Sequence, residues 1–397
     1  MNTENKRLKI INGKIITPYR IIENHDLWVE NGYIVGIEPE KKLFGRAQTV
    51  DAEGRYVAPG FIDMHTHGAG GHDFMDGTLE AFLGATEMHA RHGTTSLVPT
   101  TLTSSMEELK HTLSLFREAS EKNEKGAQML GLHLEGPYFS LKQCGAQDPK
   151  FIHDPDPAEY VPIVQGSKDI IRWSAAPELS GAMEFGRFMA RHGILPSIAH
   201  TDAIYEEVAE AFENGFTHIT HLYSAMSGVT RRNAFRYAGV IESAFLIDEM
   251  TVEIIADGVH LPKSLLQLIY KIKGADKIAL ITDSMRAAGM PEGPSILGSL
   301  TAGQEIIVED GVAKLLDRTA FAGSVATADR LVRTMINLAG INLIEAIRMI
   351  TSTPARICRI SEQKGSIAAG KQADLVIFDE EINVKTTIVK GEIIYSQ

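Results

Sequence analysis

The chain has 397 residues, 44% of them hydrophobic, which exceeds one small core and suits a barrel of ~250 residues plus a smaller unit. Its formal net charge of −12 argues against nucleic acid or an anionic membrane as the main partner. Two cysteines, Cys144 and Cys358, imply no disulfide framework.

No run of ~18 apolar residues predicts a membrane span. The opening MNTENKRLKI lacks the apolar stretch of a secretory signal, so a cytoplasmic location is expected. The negative charge leaves room for an anionic small substrate, because one local Arg or His outweighs a distant field screened over ~8 Å.

In chain order, residues 7–57 read as short strands and turns, with Asn-Gly pairs at 12–13 and 31–32 as hairpin signals. Eight apolar runs of strand length follow: YVAPGFIDMH, TTSLVPTT, MLGLHLE, IIRWSAAPE, LPSIAHT, FTHITHLY, MTVEIIADGVH and KIALITDS. Four of them are preceded by a helical pattern that ends at a glycine, as in MHARHG before TTSLVPTT and FMARHG before ILPSIAHT. Glycine most cheaply takes the left-handed conformation that closes a helix. Near-continuous apolar strands alternating with helices predict a parallel sheet covered by helices.

Residues 297–318 resemble a hairpin inserted after the eighth run, and 365–397 return to short strands. The expected fold is therefore α/β: a (β/α)₈ TIM-type barrel over 58–359, with a small β-sandwich domain built from both termini, 1–57 plus 360–397.

Ionisable residues gather at the C-terminal ends of the runs, where such barrels carry their chemistry. His65 and His67 end the first run two residues apart, so a strand aims both to one face, as two imidazole ligands of one metal require. Gly68, Gly70 and Gly71 follow and are expected to let backbone approach a ligand. Glu135 ends the third run, where burial demands a metal or a cation partner. His200 and His221 end the fifth and sixth runs and add nitrogen donors. His218 is read as structural, and the role of His133 is left open between a core residue and a support behind a ligand. Asp283 ends the eighth run, placed to take a proton from an attacking water and return it to a leaving group. Cys144, on the loop after HLEGP, is expected at the mouth of the site.

These segments, PGFIDMHTHG, HLEGP, IAHTDA, THLYSAM, DGVH and TDSM, with AGSVAT and KGSIAAGKQADLVIFD, resemble the N-acetylglucosamine-6-phosphate deacetylases of the amidohydrolase superfamily from about residue 7 onward. The resemblance implies hydrolysis of the acetamide of an amino-sugar phosphate. It implies one or two divalent metals per subunit (Zn or Fe, with Co and Mn as alternatives) held by His65, His67, Glu135, His200, His221 and Asp283. Asp283 would be the general base and acid, and His260 would polarise the acetyl carbonyl or hold the sugar. Gln147, Ser224, Ala225, Arg232 and His260 would meet the substrate, Arg232 from a neighbouring subunit, so a homodimer is expected.

Three departures from the family pattern stand out. Ser224 replaces an Asn, Arg232 is followed by Asn233-Ala234-Phe235 rather than Glu-Pro-Gly, and Thr353 replaces an Asn before Pro354-Ala355. Arg231, Arg232 and Arg236 all remain candidates for the phosphate. A deacetylase of the galactosamine epimer and a catalytically silent sugar-phosphate-binding barrel are the alternatives.

Overall fold

The computed structural model describes residues 6–39 and 47–397; the first five residues of the expected non-signal N-terminus lie outside them. Eight parallel strands form the barrel. They are β1 (Phe61–Thr66), β2 (Thr94–Pro99), β3 (Gln128–Met129 continuing as Leu132–Glu135), β4 (Ile170–Ala175), β5 (Leu195–Ile198), β6 (His218–Ile219), β7 (Thr251–Ile254) and β8 (Ile278–Leu280). Each coincides with one of the eight apolar runs. β1 pairs with β2, β2 with β3, and the ladder runs on from β3 through β8. The ring closes where Asp283 N donates to His65 O at 2.9 Å.

Each strand is followed by a helix: α1 (Leu79–Arg91), α2 (Met106–Lys122), α3 (Pro157–Gly166), α4 (Ala182–Arg191), α5 (Tyr205–Glu213), α6 (Val240–Leu246), α7 (Lys263–Lys273) and α8 (Ala328–Asn337). Helices α9 (Leu343–Ile350) and α10 (Ser352–Ile357) complete the outer layer. The glycines expected to close helices do so: Gly93, Gly193, Gly215 and Gly274 all have positive φ, between 67° and 106°.

The two ends of the chain build a sandwich. One sheet holds Arg7–Ile11, His25–Glu30, Tyr33–Pro39 and Gln48–Asp51. The other joins Lys14–Ile16, Ile21–Ile22 and Tyr56–Pro59 to the C-terminal strands Leu375–Phe378, Val384–Val389 and Glu392–Ser396. Leu8, Ile10, Leu27 and Val29 of the first sheet share a core with Val57, Leu375, Ile377 and Ile388 of the second.

Asn31-Gly32 is the expected two-residue hairpin, with φ of 52° and 82° and Glu30 paired to Tyr33. Asn12-Gly13 is not. The strands on either side belong to different sheets, so the pair turns a corner between layers. Gly13 is kept for space: a Cβ there would lie 2.5 Å from Val57 Cγ2.

The insertion after β8 begins earlier than expected and has three antiparallel strands, Gly293–Leu297, Gln304–Glu309 and Val312–Leu315. Arg286 fastens it to the barrel, donating to Ile296 O at 2.9 Å and pairing with Asp76 at 2.7 Å.

Gly93 combines a φ of 87° with a tight site, because a Cβ there would lie 2.9 Å from Phe61 and from Val376. Gly93→Ala is expected to lower stability by about 1–3 kcal/mol, from left-handed strain plus overpacking. Chemical denaturation checks this, and an unchanged midpoint would contradict it.

Candidate active site

Six side chains from five strand ends meet at the C-terminal rim. Glu135 Oε1 lies 3.0 Å from His221 Nε2, 3.5 Å from His200 Nε2 and 3.6 Å from His65 Nε2. Its Oε2 lies 3.2 Å from His67 Nε2. Asp283 Oδ1 lies 3.3 Å from His65 Nε2 and 3.2 Å from His67 Nε2. All six residues are buried. Two groups have the spacing of a metal site, His65–His67–Glu135 and Glu135–His200–His221, with Glu135 common to both.

Two devices of the backbone bring these side chains inward. Between Leu97↔Asp63 and Pro99↔Thr66 the β1–β2 register shifts, which gives β1 one extra residue. Met64 thus packs in the barrel interior with Val98, Ile255 and Ala279, while its neighbour His65 enters the site. His200, His221 and Asp283 have φ of 44°, 30° and 46°, so each strand end turns sharply through the left-handed region. Strand parity places His218 on the face opposite His221, but His218 faces the barrel interior too, with Nδ1 2.7 Å from Thr251 Oγ1 and Nε2 3.4 Å from Glu253 Oε1. His221 reaches the site through the turn.

The tautomers follow from the partners on Nδ1. His67 Nδ1 is 3.2 Å from Thr100 O, and His200 Nδ1 is 2.9 Å from Gln143 O. His65 Nδ1 is 3.3 Å from Glu253 Oε2. Acceptors hold a proton on Nδ1 in all three, so Nε2 is the nitrogen each ring turns toward the carboxylates and would offer to a cation. His65 Nε2 and His67 Nε2 face each other at 3.4 Å, which suits two lone pairs sharing a cation.

Electrostatics make the same demand. Burial opposes the charge on His65, yet Glu135 and Asp283 pull its pKa up to about 9. Burial likewise opposes ionisation of Glu135, but His65, His200 and His221 hold it well below the usual carboxylate range. Asp283 is held low against the same burial cost by His65 and His67. Buried carboxylates that draw positive charge this strongly are matched by a divalent cation, and the nitrogen–oxygen donor set fits one.

The cavity above the cluster has a volume of about 480 Å³ and is lined by Gln147, Ser224, Ala225, His260, Asp283 and Phe321, among others. Gln147 Nε2 donates to Glu135 Oε2 at 2.9 Å, and its Oε1 accepts from Thr103 N at 2.8 Å. His260 Nδ1 is 2.8 Å from Asp257 Oδ2, and Phe321 from the insertion lies 4.5 Å from the His260 ring.

Arg232 is not brought to this cavity. It sits exposed on a hairpin of Thr230–Arg232 with Phe235–Tyr237, its guanidinium 5.5 Å over Tyr237. Arg231 and Arg236 share that hairpin. Among the described residues, Lys142 is the one lysine or arginine lining the cavity, and it pairs with Asp202 at 3.0 Å. Cys144 lines a neighbouring cavity of about 990 Å³ that shares Gly145, Ala146 and Gln147 as a wall.

Among the glycines after His67, Gly68 is required by the backbone itself. Gly68 lies in a tight hairpin where a Cβ would stand 2.1 Å from His72 O. His133 is buried beside the cluster: its Nε2 is 2.7 Å from Ser174 Oγ, and its ring packs edge-on against His65.

Sequence reasoning missed a buried ion pair beneath the site, Arg172 with Glu253. The signal was present as one charge inside each of the apolar runs IIRWSA and TVEIIA, with opposite signs.

A parallel (β/α)₈ barrel with a histidine–carboxylate cluster at its C-terminal rim defines a hydrolase barrel of the amidohydrolase type. The model of the Amidohydrolase family matches residues 56–394. The N-acetylglucosamine-6-phosphate deacetylase of Lysinibacillus sphaericus is 34% identical, covering 94% of this chain and 93% of its own. The N-acetylgalactosamine-6-phosphate deacetylase of Escherichia coli O157:H7 is 30% identical, covering 96% and 97%. The crystal structure of N-acetylglucosamine-6-phosphate deacetylase from Pasteurella multocida superposes with a TM-score of 0.91 at 29% identity, covering 98% of this chain and all of that one. The chain belongs to the amidohydrolase family and, within it, to the N-acetylglucosamine-6-phosphate deacetylase family.

His89 of α1 lies below the site, its Nε2 2.9 Å from Thr66 Oγ1, and burial holds its imidazole down to about 3. The unfolded chain takes up this proton near the ordinary value of 6.5. The contribution to stability is therefore complete above that value and is lost as pH falls toward 3. His89→Gln is expected to flatten the fall in melting temperature between about pH 6.5 and 4. An identical pH slope in the variant would contradict the assignment.

Proposed function

We propose that the protein hydrolyses the acetamide of N-acetylglucosamine 6-phosphate, releasing acetate and glucosamine 6-phosphate. The observation that carries this reading is the meeting of Asp283 and Glu135 with four imidazoles at the rim, beneath a cavity lined by His260, Ser224 and Ala225.

Glu135, His200 and His221 would hold one divalent cation, and His65 and His67 with Glu135 a second, with Asp283 against His65 and His67. When bound, such a cation acidifies water and polarises a carbonyl oxygen. Asp283, kept ionised by His65 and His67, accepts the proton of the attacking water. It then protonates the departing nitrogen, because an unprotonated amide nitrogen leaves poorly. Asp257 fixes His260 through Nδ1, which leaves Nε2 as the ring nitrogen available to the acyl oxygen or a sugar hydroxyl. Gln147 steadies Glu135.

The phosphate contact calls for a second copy of the chain. The exposed hairpin carrying Arg231, Arg232 and Arg236 would supply the phosphate's cation, because Lys142, the one lysine or arginine lining the cavity among the described residues, is paired with Asp202. Among the described residues no helix is long and apolar enough to cross a membrane. A second reading, the galactosamine epimer as substrate, is favoured by the relative from Escherichia coli and by Ser224 in place of the family Asn.

Acetate release from N-acetylglucosamine 6-phosphate by metal-replete protein is expected to exceed release from the galactosamine epimer and from the unphosphorylated sugar. The reverse order would move the assignment to the epimer. Asp283→Asn is expected to retain metal and to lose turnover by about 10²–10⁴-fold; near-normal turnover would overturn its role. His200→Ala is expected to lose metal by elemental analysis, and unchanged content would remove it from the ligand set.

A further inference from the structure

The interior of the barrel below the site is not apolar. Glu253 of β7 and Arg172 of β4 are buried there as an ion pair, with Nη2 2.9 Å from Oε2 and Nη1 bonded to Oε1. Arg172 is saturated with partners. Nε donates to Ser197 Oγ at 2.9 Å, Nη1 to Met64 O at 3.3 Å, and Nη2 to Thr220 Oγ1 at 2.6 Å. One guanidinium thus ties β4 to β1, β5, the end of β6, and β7.

A buried pair of this kind is a poor source of stability, because well-packed apolar residues of similar volume commonly do as well or better. Its geometry points to a different use. Glu253 Oε2 lies 3.3 Å from His65 Nδ1 and 3.3 Å from His221 N. The same oxygen therefore reaches two of the residues that would hold the cations. For His67 and His200 the matching acceptor on Nδ1 is a main-chain carbonyl. Only His65, among these three, is held by a carboxylate.

We propose that Glu253 is a positioning residue for the metal centre. It fixes the Nδ1–H tautomer and the ring orientation of His65, strengthens Nε2 as a donor, and anchors the His221 turn. Arg172 has the complementary task. It neutralises the carboxylate and occupies both oxygens, so that Glu253 stays below the site instead of entering it. His218, whose Nε2 is 3.4 Å from Oε1, closes the remaining side. Carboxylates behind metal-bound histidines typically change metal affinity 10–100-fold when removed. Here the effect falls first on the His65–His67–Glu135 position.

This inference rests on the proposed metal reading of the site, so the test measures metal directly and not acetate release. Cobalt(II) is titrated into apo-protein against a chelator, with the visible spectrum recorded and melting temperature measured in parallel. Three variants are compared with the native chain. Arg172→Leu/Glu253→Leu removes the charges and the acceptor. Arg172→Leu/Glu253→Gln removes the charges and keeps an acceptor for His65 Nδ1–H. Glu253→Asp keeps the charge and its partner but withdraws the oxygen from His65.

The Leu/Leu and Asp variants are expected to lose about 10–100-fold in affinity at one of the two cobalt sites and to change its spectrum. The Leu/Gln variant is expected to keep the native spectrum, with affinity within about threefold of native. If Leu/Leu cannot fold, the Asp variant alone decides. Native affinity and spectrum in Glu253→Asp, or in a folded Leu/Leu protein, would overturn the proposal. So would equal losses in the Leu/Leu and Leu/Gln variants, which would reduce the pair to packing. A native chain that binds no cobalt at all would instead overturn the metal reading itself, and this inference with it.

Discussion

Two carboxylates, Glu135 and Asp283, are buried side by side among imidazoles at one end of a closed barrel. An ionised carboxylate cannot be taken from water without compensation. Much of the surrounding structure meets that requirement. Four histidines turn their Nε2 atoms toward the pair, and the acceptors behind three of them keep the protons on the far side of the ring. The same groups could hold a divalent cation, which would complete the balance and suit a costly arrangement to hydrolysis.

The barrel supplies the rigidity this balance needs. Each of the six residues of the histidine–carboxylate cluster stands at the end of a parallel strand, and the strands are tied to one another by main-chain bonds around the ring. The positive φ at His200, His221 and Asp283 shows where backbone freedom has been given up to aim side chains. Below this rim the Arg172–Glu253 pair stitches several strands together, so the layer under the site is polar and specific rather than merely filled. Above it, the three-stranded insertion brings Phe321 and Leu297 over the cavity and gives the site a wall that the bare barrel lacks.

Substrate recognition is distributed differently from the chemistry. On the proposed reading, the residues that would meet the acyl group line the cavity of one chain, whereas the arginine hairpin stands outside it. Ser224 and the Arg231–Arg236 segment are also where the sequence departs from its family pattern. These departures lie outside the histidine–carboxylate cluster.

Much of this was legible in the sequence because it depends on short-range rules. Apolar runs of strand length, glycines that end helices, the Asn31-Gly32 turn and the ionisable residues at strand ends are local patterns, and all eight runs became barrel strands. The tertiary structure alone decided what depends on distant chain segments. Asn12-Gly13 looked like a hairpin and became a corner, because pairing partners far along the chain claimed its two flanking strands. Arg172 and Glu253 were visible as isolated charges, but 81 residues separate them, and only barrel closure sets one against the other. The bulge beside His65 and the left-handed turns at His200, His221 and Asp283 are likewise set by the closed ring. Residue type and spacing determine which groups are available for chemistry. Their convergence on one point is a property of closure, which no local window of sequence contains.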